Sequence, residues 1–144
     1  MRIVDTIGEK RFAPSAKAKP VKSRSGAKTT EEYEHSLQKG DPTGATANNL
    51  AWLYAQKGTN LDRALALALK AQMLAPQNPA VLDTLGVVHL KRHEYSKAVK
   101  DLETALQLTA TAPVSSETLL QFRQHLAEAY LRSGQTQAAS ALRP

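Results

Sequence analysis

Cysteine is absent from this 144-residue sequence, which excludes disulfides, zinc fingers, iron–sulfur clusters and thiol catalysis. Aromatic residues make up only 5% of the chain, so most of its apolar content is alanine and leucine. No apolar run approaches the ~18 residues of a transmembrane helix, and residues 1–12 lack the continuous apolar stretch of a secretory signal. We therefore expect a cytoplasmic protein, or a periplasmic one if the chain is a fragment or a mature form.

The sequence also lacks the common catalytic motifs. There is no glycine-rich phosphate loop, no GxSxG and no HExxH, and the carboxylates are scattered among Lys and Arg. His89 and His93 lie four residues apart, a spacing that suits a metal ion, but no third ligand accompanies them. We therefore expect no enzymatic activity, no catalytic residues, no cofactor and no metal site, and we interpret His89 as a packed, partly buried ring.

Positive charge is present in excess, and all of the excess lies at the N-terminus. The formal net charge is +6. Residues 1–28 contain eight Lys and Arg against two acidic residues, whereas residues 29–144 contain eleven of each sign. The remainder of the chain therefore has no net basic character that would attract nucleic acid.

Residues 13–28, APSAKAKPVKSRSGAK, have almost no apolar surface to bury, so their composition predicts a disordered basic tail over residues 1–28. Two interpretations of this tail stay open. It is either a solvated linker, or an electrostatic anchor that targets nucleic acid or an anionic membrane surface.

From Thr29 onward the pattern is helical, and no segment shows the alternation of a β-strand. Thr29 or Thr30 followed by Glu31 and Glu32 indicates a helix start, and this helix should end before Gly40. Turn signals divide the rest into helices expected at residues 44–57, 61–74, 79–91, 95–108, 116–133 and 136–142. We therefore predict an all-α domain over residues 29–144.

An internal repeat organises these helices in pairs. The first helices of the pairs correspond at Leu50, Leu85 and Leu126, at Ala51, Gly86 and Ala127, and at Tyr54, His89 and Tyr130. The second helices correspond at Ala64, Ala98 and Ala139. Small residues at these positions allow two antiparallel helices to approach closely, and each hairpin then needs a neighbour to cover its other face. The repeat spacing is 34 to 35 residues at first and 41 afterwards, and the added seven residues are about two helical turns.

This pattern resembles the tetratricopeptide repeat (TPR) family, and in particular TPR proteins of bacterial envelope and exopolysaccharide systems. The matching residues are Leu50, Ala51, Trp52, Leu53, Tyr54, Ala64, Ala71 and Pro76 in one repeat, and Leu82, Leu85, Gly86, Tyr95, Ala98, Leu102 and Ala105 in the next. The resemblance implies a helical solenoid of two full repeats with partial repeats at both ends. The first helix, residues 29–39, resembles the second helix of a repeat whose first helix is missing.

The same resemblance implies a protein–protein interaction scaffold that binds a peptide or a partner helix in a concave groove lined by the first helices. Carried over residue by residue, the groove would contain Asn48, Asn49, Trp52, Gln56, Asp83, Val87, Lys91, Gln124, Glu128 and Arg132. The cationic residues that clamp a chaperone's C-terminal carboxylate in some TPR domains are absent, because those positions hold Asn48, Trp52, Thr84, Gln121 and His125. Binding of a chaperone tail is therefore disfavoured.

Three alternatives stay open for this site. Trp52 is either an exposed hot spot of the groove or a residue packed against helix 29–39. Asn48 and Asn49 either bond a ligand backbone or serve as helix caps and solvated residues. The ends of the array lack polar capping helices, which predicts self-association or docking on a neighbouring part of a larger chain.

Overall fold

The computed structural model describes residues 28–142, and these form an all-helical chain without strands. Its helices are α1 (Thr30–Gln38), α2 (Ala45–Lys57), α3 (Leu61–Leu74), α4 (Pro79–Lys91), α5 (Tyr95–Leu108), α6 (Ser116–Arg132) and α7 (Thr136–Ala141). The all-α prediction is confirmed, and the helix boundaries from α2 onward agree with the expected ones to within one residue. The predicted basic tail, residues 1–28, lies outside the described residues except for Lys28.

Local capping chemistry explains why the helices begin where they do. Thr29 and Glu32 form a capping box, in which the Thr29 hydroxyl accepts from the Glu32 amide and the Glu32 carboxylate accepts from the Thr29 amide. Asn78 accepts from the amide of Ala80 at the start of α4, and Pro79 occupies the first helical position. Ser115 caps α6 in the same way. These signals are local in sequence, which is why they could be read without a structure.

Consecutive helices pack as antiparallel hairpins, in which α2 pairs with α3, α4 with α5 and α6 with α7. The repeated small residues lie where the helices approach: Ala51, Ala64 and Ala98 are fully buried. At Gly86 the approach is closest, because an added Cβ atom would lie 2.5 Å from Cγ of Leu102 on α5. Glycine is required there by the space and not by the backbone conformation.

We call the first helix of each hairpin (α2, α4, α6) its leading helix and the second (α3, α5, α7) its trailing helix. The hairpins stack through their leading helices, since α2 contacts α4 and α4 contacts α6. Two tyrosines on leading helices form hydrogen bonds with the helix that precedes each hairpin. The Tyr54 hydroxyl on α2 donates to Glu34 on α1 at 2.7 Å, and the Tyr130 hydroxyl on α6 donates to Glu103 on α5 at 2.6 Å. Helix α1 therefore occupies the place of a trailing helix, as its sequence indicated.

The two ends of the described array differ in polarity. The exposed residues of α1 are all polar, namely Glu31, Glu32, His35 and Gln38. At the other end, α6 exposes Leu120 and Leu131, with 46% and 53% of their surfaces accessible. The expectation of two uncapped ends is therefore wrong for α1, whose polar residues suit an end facing water, whereas α6 keeps apolar side chains exposed.

Candidate functional site: the shared side of the leading helices

The predicted binding residues divide into a buried set and a more accessible set, all on the leading helices α2, α4 and α6. Asn48, Asn49, Trp52, Asp83 and Val87 are buried. Gln56 is half-buried, and the remaining four, Lys91, Gln124, Glu128 and Arg132, are exposed. The structure thus brings polar groups into the interior of the repeat stack, which is unusual for amide and carboxylate side chains.

Trp52 is 2% exposed, so the interpretation of an exposed tryptophan is wrong. Its indole ring lies 5.6 Å from the imidazole ring of His125 on α6, with the planes tilted by 54°. Trp52 also belongs to the same buried cluster as Tyr33 of α1. Trp52 therefore connects α2 with α6. The sequence indicated packing against α1 as one alternative, but not this contact with α6.

Asp83 on α4 is fully buried, and its carboxylate bonds the same imidazole. His125 Nδ1 lies 2.9 Å and 3.1 Å from the two carboxylate oxygens. Burying a carboxylate requires partners that compensate for lost hydration. His125 was not among the predicted binding residues, and the only signal for it was its place in the repeat register, which Asn49 and Thr84 share.

Asn48 is the most unusual member of the buried set. It is 0% exposed, and neither its Nδ2 nor its Oδ1 has a hydrogen-bond partner in the part of the chain that the structure describes. Asn49 is 8% exposed, and its Oδ1 is also without a partner there. An unsatisfied buried amide destabilises a protein by about 1–3 kcal/mol. The presence of two such asparagines at neighbouring positions therefore calls for an explanation.

The capping interpretation of these asparagines is wrong, because another residue caps α2. The two carboxylate oxygens of Asp41 accept hydrogen bonds from the backbone amides of Thr46 and Ala47, at 3.1 Å and 2.9 Å. Neither asparagine is solvated either, since both are buried. We call Asn48, Trp52, Asp83 and His125 the inner cluster, which contains an amide, an indole, a carboxylate and an imidazole.

His89 is buried as expected, at the position that Tyr54 and Tyr130 occupy in the other repeats. Its Nδ1 lies 2.7 Å from a carboxylate oxygen of Asp101 on α5, the trailing helix of its own hairpin. His93 lies in the turn that follows, with its Nδ1 2.7 Å from the Tyr95 hydroxyl. Over residues 28–142 no group of three or more side chains is arranged to hold a metal ion.

An open cleft beside this turn is lined by His93, Glu94, Tyr95, Ser96, Lys97, Arg132 and Ser133. The charges around it pair locally. Lys97 lies 3.8 Å from Glu94, and Arg132 lies 3.5 Å from Glu128. These exposed pairs are screened by water and contribute little, so the cleft offers no concentrated charge for a ligand.

The described helices include none that is both long and apolar enough to span a bilayer.

No protein-family model matches the chain. The chain is 35% identical over 68 residues to the TPR repeat-containing protein PA4667 of Pseudomonas aeruginosa, which covers 46% of this chain and 12% of that protein. It is 29% identical over 80 residues to the anaphase-promoting complex subunit CDC16 of Saccharomyces cerevisiae, and this alignment covers 56% of this chain and 10% of that protein.

The chain therefore spans only about a tenth of the length of these curated relatives. Among solved structures, a mutant form of MamA superposes with a TM-score of 0.56 and 21% sequence identity, over 97% of this chain and 90% of that one. At this identity the likeness establishes the fold alone. The expected repeat architecture is confirmed by these comparisons.

Proposed function

We propose that this chain, a tetratricopeptide-repeat protein, holds a peptide or helix of a partner protein against the side that its leading helices share. The relatives support the general function of a protein–protein interaction scaffold. Members of this family generally bind protein partners and are generally not enzymes. The part specific to this chain is the location of binding, over the inner cluster and the exposed residues beside it.

The observation that carries the proposal is the buried, unpartnered amide of Asn48. An asparagine side chain offers two N–H donors and one carbonyl acceptor. A peptide backbone presents the complementary pair, one acceptor and one donor, at every residue except proline. Binding an extended peptide would therefore remove a penalty that the protein carries without it.

Exposed polar residues on the same helices supply the rest of the surface. Gln124, Glu128 and Arg132 are exposed on α6, and Lys91 is exposed at the end of α4. We call these four residues the rim. Charged side chains of both signs at such a position affect the orientation and choice of a partner more than the strength of its binding. We expect the buried set to contribute affinity and this rim to contribute selectivity.

The test uses the full chain as bait in a quantitative pull-down from cells of its source. Gln124→Ala with Glu128→Ala changes the rim, and Lys70→Ala with Gln107→Ala changes two exposed residues of trailing helices as a matched control. We expect the rim variant to lose partners that the control retains, with both showing the wild-type far-UV circular dichroism spectrum. Equal recovery of every partner with both variants would contradict the proposal.

Self-association is a further proposal, supported by Leu120 and Leu131, which α6 exposes to solvent. Apolar side chains at an uncapped repeat end favour contact with a second copy or with another part of a larger assembly. We expect the sedimentation coefficient to rise with concentration, and to do so less for Leu120→Gln with Leu131→Gln. A monomeric mass at high concentration in the wild type would refute it.

The alternative function, in which residues 1–28 target nucleic acid or an anionic membrane surface, is favoured by the charge distribution alone. All of the net charge of +6 belongs to those residues. Binding of this kind falls steeply with salt, because it releases counterions. We therefore expect the partners that depend on the rim residues to remain bound in the pull-down at a salt concentration at which the chain no longer binds an anionic polymer.

A further inference from the structure

The accessible residues of α6 include a single stripe along one side of the helix. Glu117, Leu120, Gln124 and Leu131 are exposed, and Ala127 is half-buried. Their spacing alternates between three and four residues, which keeps all five on the same side of an α-helix. We call these five residues the α6 stripe, which is about 20 Å long.

The α6 stripe faces away from the rest of the repeat array. The buried residues of α6 are Phe122, Leu126 and Ala129, which belong to apolar clusters shared with α4 and α5. Helices α4, α5 and α7 pack against α6 and still leave Leu120 and Leu131 exposed. In a repeat array such a face is covered by the next hairpin, so over residues 28–142 the stripe has no cover of its own.

Exposed charges of opposite sign flank the α6 stripe. Arg123 lies on one flank, and Glu128 lies on the other flank five residues later. No ion pair between described residues includes Arg123. Glu128 lies 3.5 Å from Arg132 on the same helix, in an exposed pair that contributes little to stability. Both charges can therefore pair with a second molecule.

The α6 stripe is complementary to a copy of itself in parallel orientation. When two identical helices pack in parallel about a two-fold axis, each position of the stripe meets the same position of the copy, so leucine meets leucine. One flank of each helix then faces the opposite flank of the copy. Arg123 of each copy therefore lies near Glu128 of the other, as flanking charges do in parallel coiled coils.

An antiparallel contact lacks this charge complementarity. In that orientation equivalent flanks face each other, so the flank of Arg123 faces its own copy and the flank of Glu128 does likewise. Neither charge then meets one of opposite sign. The unfavourable contact of the parallel arrangement, between Glu117 and its copy, lies in the first turn of α6, where water and salt screen the repulsion.

We propose that α6 is a homodimer contact, in which two copies of this chain pack their α6 stripes in parallel about a two-fold axis. This inference rests on the self-association proposed above, for which it names the partner, the residues and the orientation. The contact area is small, so the dimer should dissociate on dilution. The contact covers Gln124 and Glu128, so a second copy competes with any partner that depends on the rim.

Sedimentation of the full chain over a range of concentrations tests the surface. Leu120→Gln with Leu131→Gln should raise the dissociation constant of the dimer by at least about tenfold. Leu69→Gln with Met73→Gln changes two exposed apolar residues of α3 and should leave the constant unchanged. An equal loss with both pairs would overturn the inference, because exposed apolar area in general would then cause the association.

Charge reversal tests the pairing of the flanks. Arg123→Glu alone and Glu128→Arg alone each replace two attractive pairs with two repulsive ones, and each should weaken the dimer about tenfold. The two substitutions in one chain restore opposite signs and should return the dissociation constant to near that of the wild type. Far-UV circular dichroism should show the same helical content in all variants. A double variant as weak as the single ones would overturn the inference.

A single thiol tests the orientation, since the chain has no cysteine of its own. In the parallel contact residue 117 lies beside its copy, so Glu117→Cys should form a disulfide-linked dimer under mild oxidation. In an antiparallel contact the two residues would lie at opposite ends of the α6 pair. Gln137→Cys, at an exposed position of α7, should cross-link far less. Equal yields from the two variants would overturn the parallel assignment.

The outcomes separate this inference from the proposed function. If the wild type associates but the substitutions on α6 have no effect, the parallel contact is refuted and self-association through another surface stands. If the wild type is monomeric at every concentration while the rim variant still loses partners in the pull-down, self-association and this contact are both refuted and the scaffold function stands.

The competition between a second copy and a partner has its own test in the pull-down. With the bait held above the dissociation constant of the dimer, Leu120→Gln with Leu131→Gln should recover more of the rim-dependent partners than the wild type does. Equal or lower recovery would overturn the competition.

Discussion

The Tyr130 hydroxyl donates a hydrogen bond of 2.6 Å to Oε2 of Glu103, across the junction between the second hairpin and the third. Tyr54 makes the equivalent bond to Glu34 at 2.7 Å across the preceding junction with α1. The paired residues are 27 apart in one case and 20 in the other, and the difference of seven equals the insertion before α6. The insertion therefore leaves the contact between repeats in register.

The first prediction concerns alkaline stability at the Tyr130–Glu103 bond. Burial, followed by the bond to Glu103, raises the pKa of Tyr130 to about 12. Tyr130 therefore ionises in the unfolded chain near pH ~10, before it does so in the folded protein, and this contribution to stability is lost as pH rises from about 10 towards about 12. In Tyr130→Phe the free energy of unfolding should fall less steeply over that interval, as measured by urea denaturation.

Glu103→Gln serves as the control for this prediction. It keeps an acceptor for the hydroxyl but removes the negative charge, so it should lower the pKa of Tyr130 and reduce the same alkaline slope. Tyr54, whose pKa is also raised, first by burial and then by Glu34, remains in both variants. Parallel pH profiles for wild type and Tyr130→Phe would contradict the prediction.

The second prediction concerns the acidic limb at Glu34. Hydrogen bonding from Arg63 lowers the pKa of Glu34 below its ordinary value of 4.5, against the opposing effect of burial and with support from Tyr54. This stabilisation is complete above about pH 5 and is lost as pH falls through the lowered pKa. Glu34→Gln should destabilise the protein at neutral pH by at most ~1 kcal/mol, because the Arg63 side chain is 49% exposed.

A double-mutant cycle with Arg63→Gln isolates the interaction of this pair. Arg63 Nη2 lies 2.7 Å from Glu34 Oε1, so the two substitutions should be non-additive at neutral pH. Near pH ~3 the carboxyl group is more protonated, and the coupling energy should decrease. A coupling energy that does not change with pH would show that the contact is not ionic.

The third prediction concerns the approach of α4 to α5 at Gly86. A Cβ atom added there would lie 2.5 Å from Cγ and 2.7 Å from Cδ2 of Leu102, and Leu102 is itself fully buried. Gly86→Ala should therefore destabilise the protein by ~1–3 kcal/mol, the usual effect of overpacking. Chemical denaturation of Gly86→Ala, Leu102→Ala and the double variant tests this, and the double variant should be less destabilised than the sum of the two.

The fourth prediction separates stability from binding at Asn48. Truncation of a fully buried residue ordinarily destabilises a protein, and Leu50→Ala on the same helix should do so by ~2–5 kcal/mol. Asn48→Ala should change the free energy of unfolding by less than ~1 kcal/mol, because it also removes an unpartnered amide from the interior. In the pull-down, Asn48→Ala should nevertheless recover less than the wild type of the partners that depend on Gln124 and Glu128. A large loss of stability with unchanged binding would assign Asn48 a structural role.

Local chemistry made most of the fold predictable. Caps such as Thr29 and Asn78, and the proline at position 79, act within three residues of the helix ends that they define, so the sequence contains the whole signal. The alternation of small residues at Ala51 and Gly86 with larger neighbours likewise indicated the paired helices. The repeat spacing then determined the order in which the pairs stack.

The candidate site was predicted less well, because its contacts join residues that are distant in sequence. Trp52 meets His125 and His125 meets Asp83 only after three hairpins have stacked at particular angles. A register position tells which helix face a residue occupies but not whether a neighbour two repeats away covers it. Of the two interpretations left open for Trp52, the exposed hot spot was therefore wrong, and the role of His125 was not anticipated.

Sequence alone determined the helical repeat, its boundaries and the confinement of the net positive charge to residues 1–28, since periodicity, caps and charge are properties of neighbouring residues. Tertiary structure decided that α1 presents a polar end, that His89 bonds Asp101 while the tyrosines at its register position reach back to another helix, and that Asn48 and Asp83 are each fully buried. These depend on the angles and distances at which separate helices pack, and no local pattern specifies them.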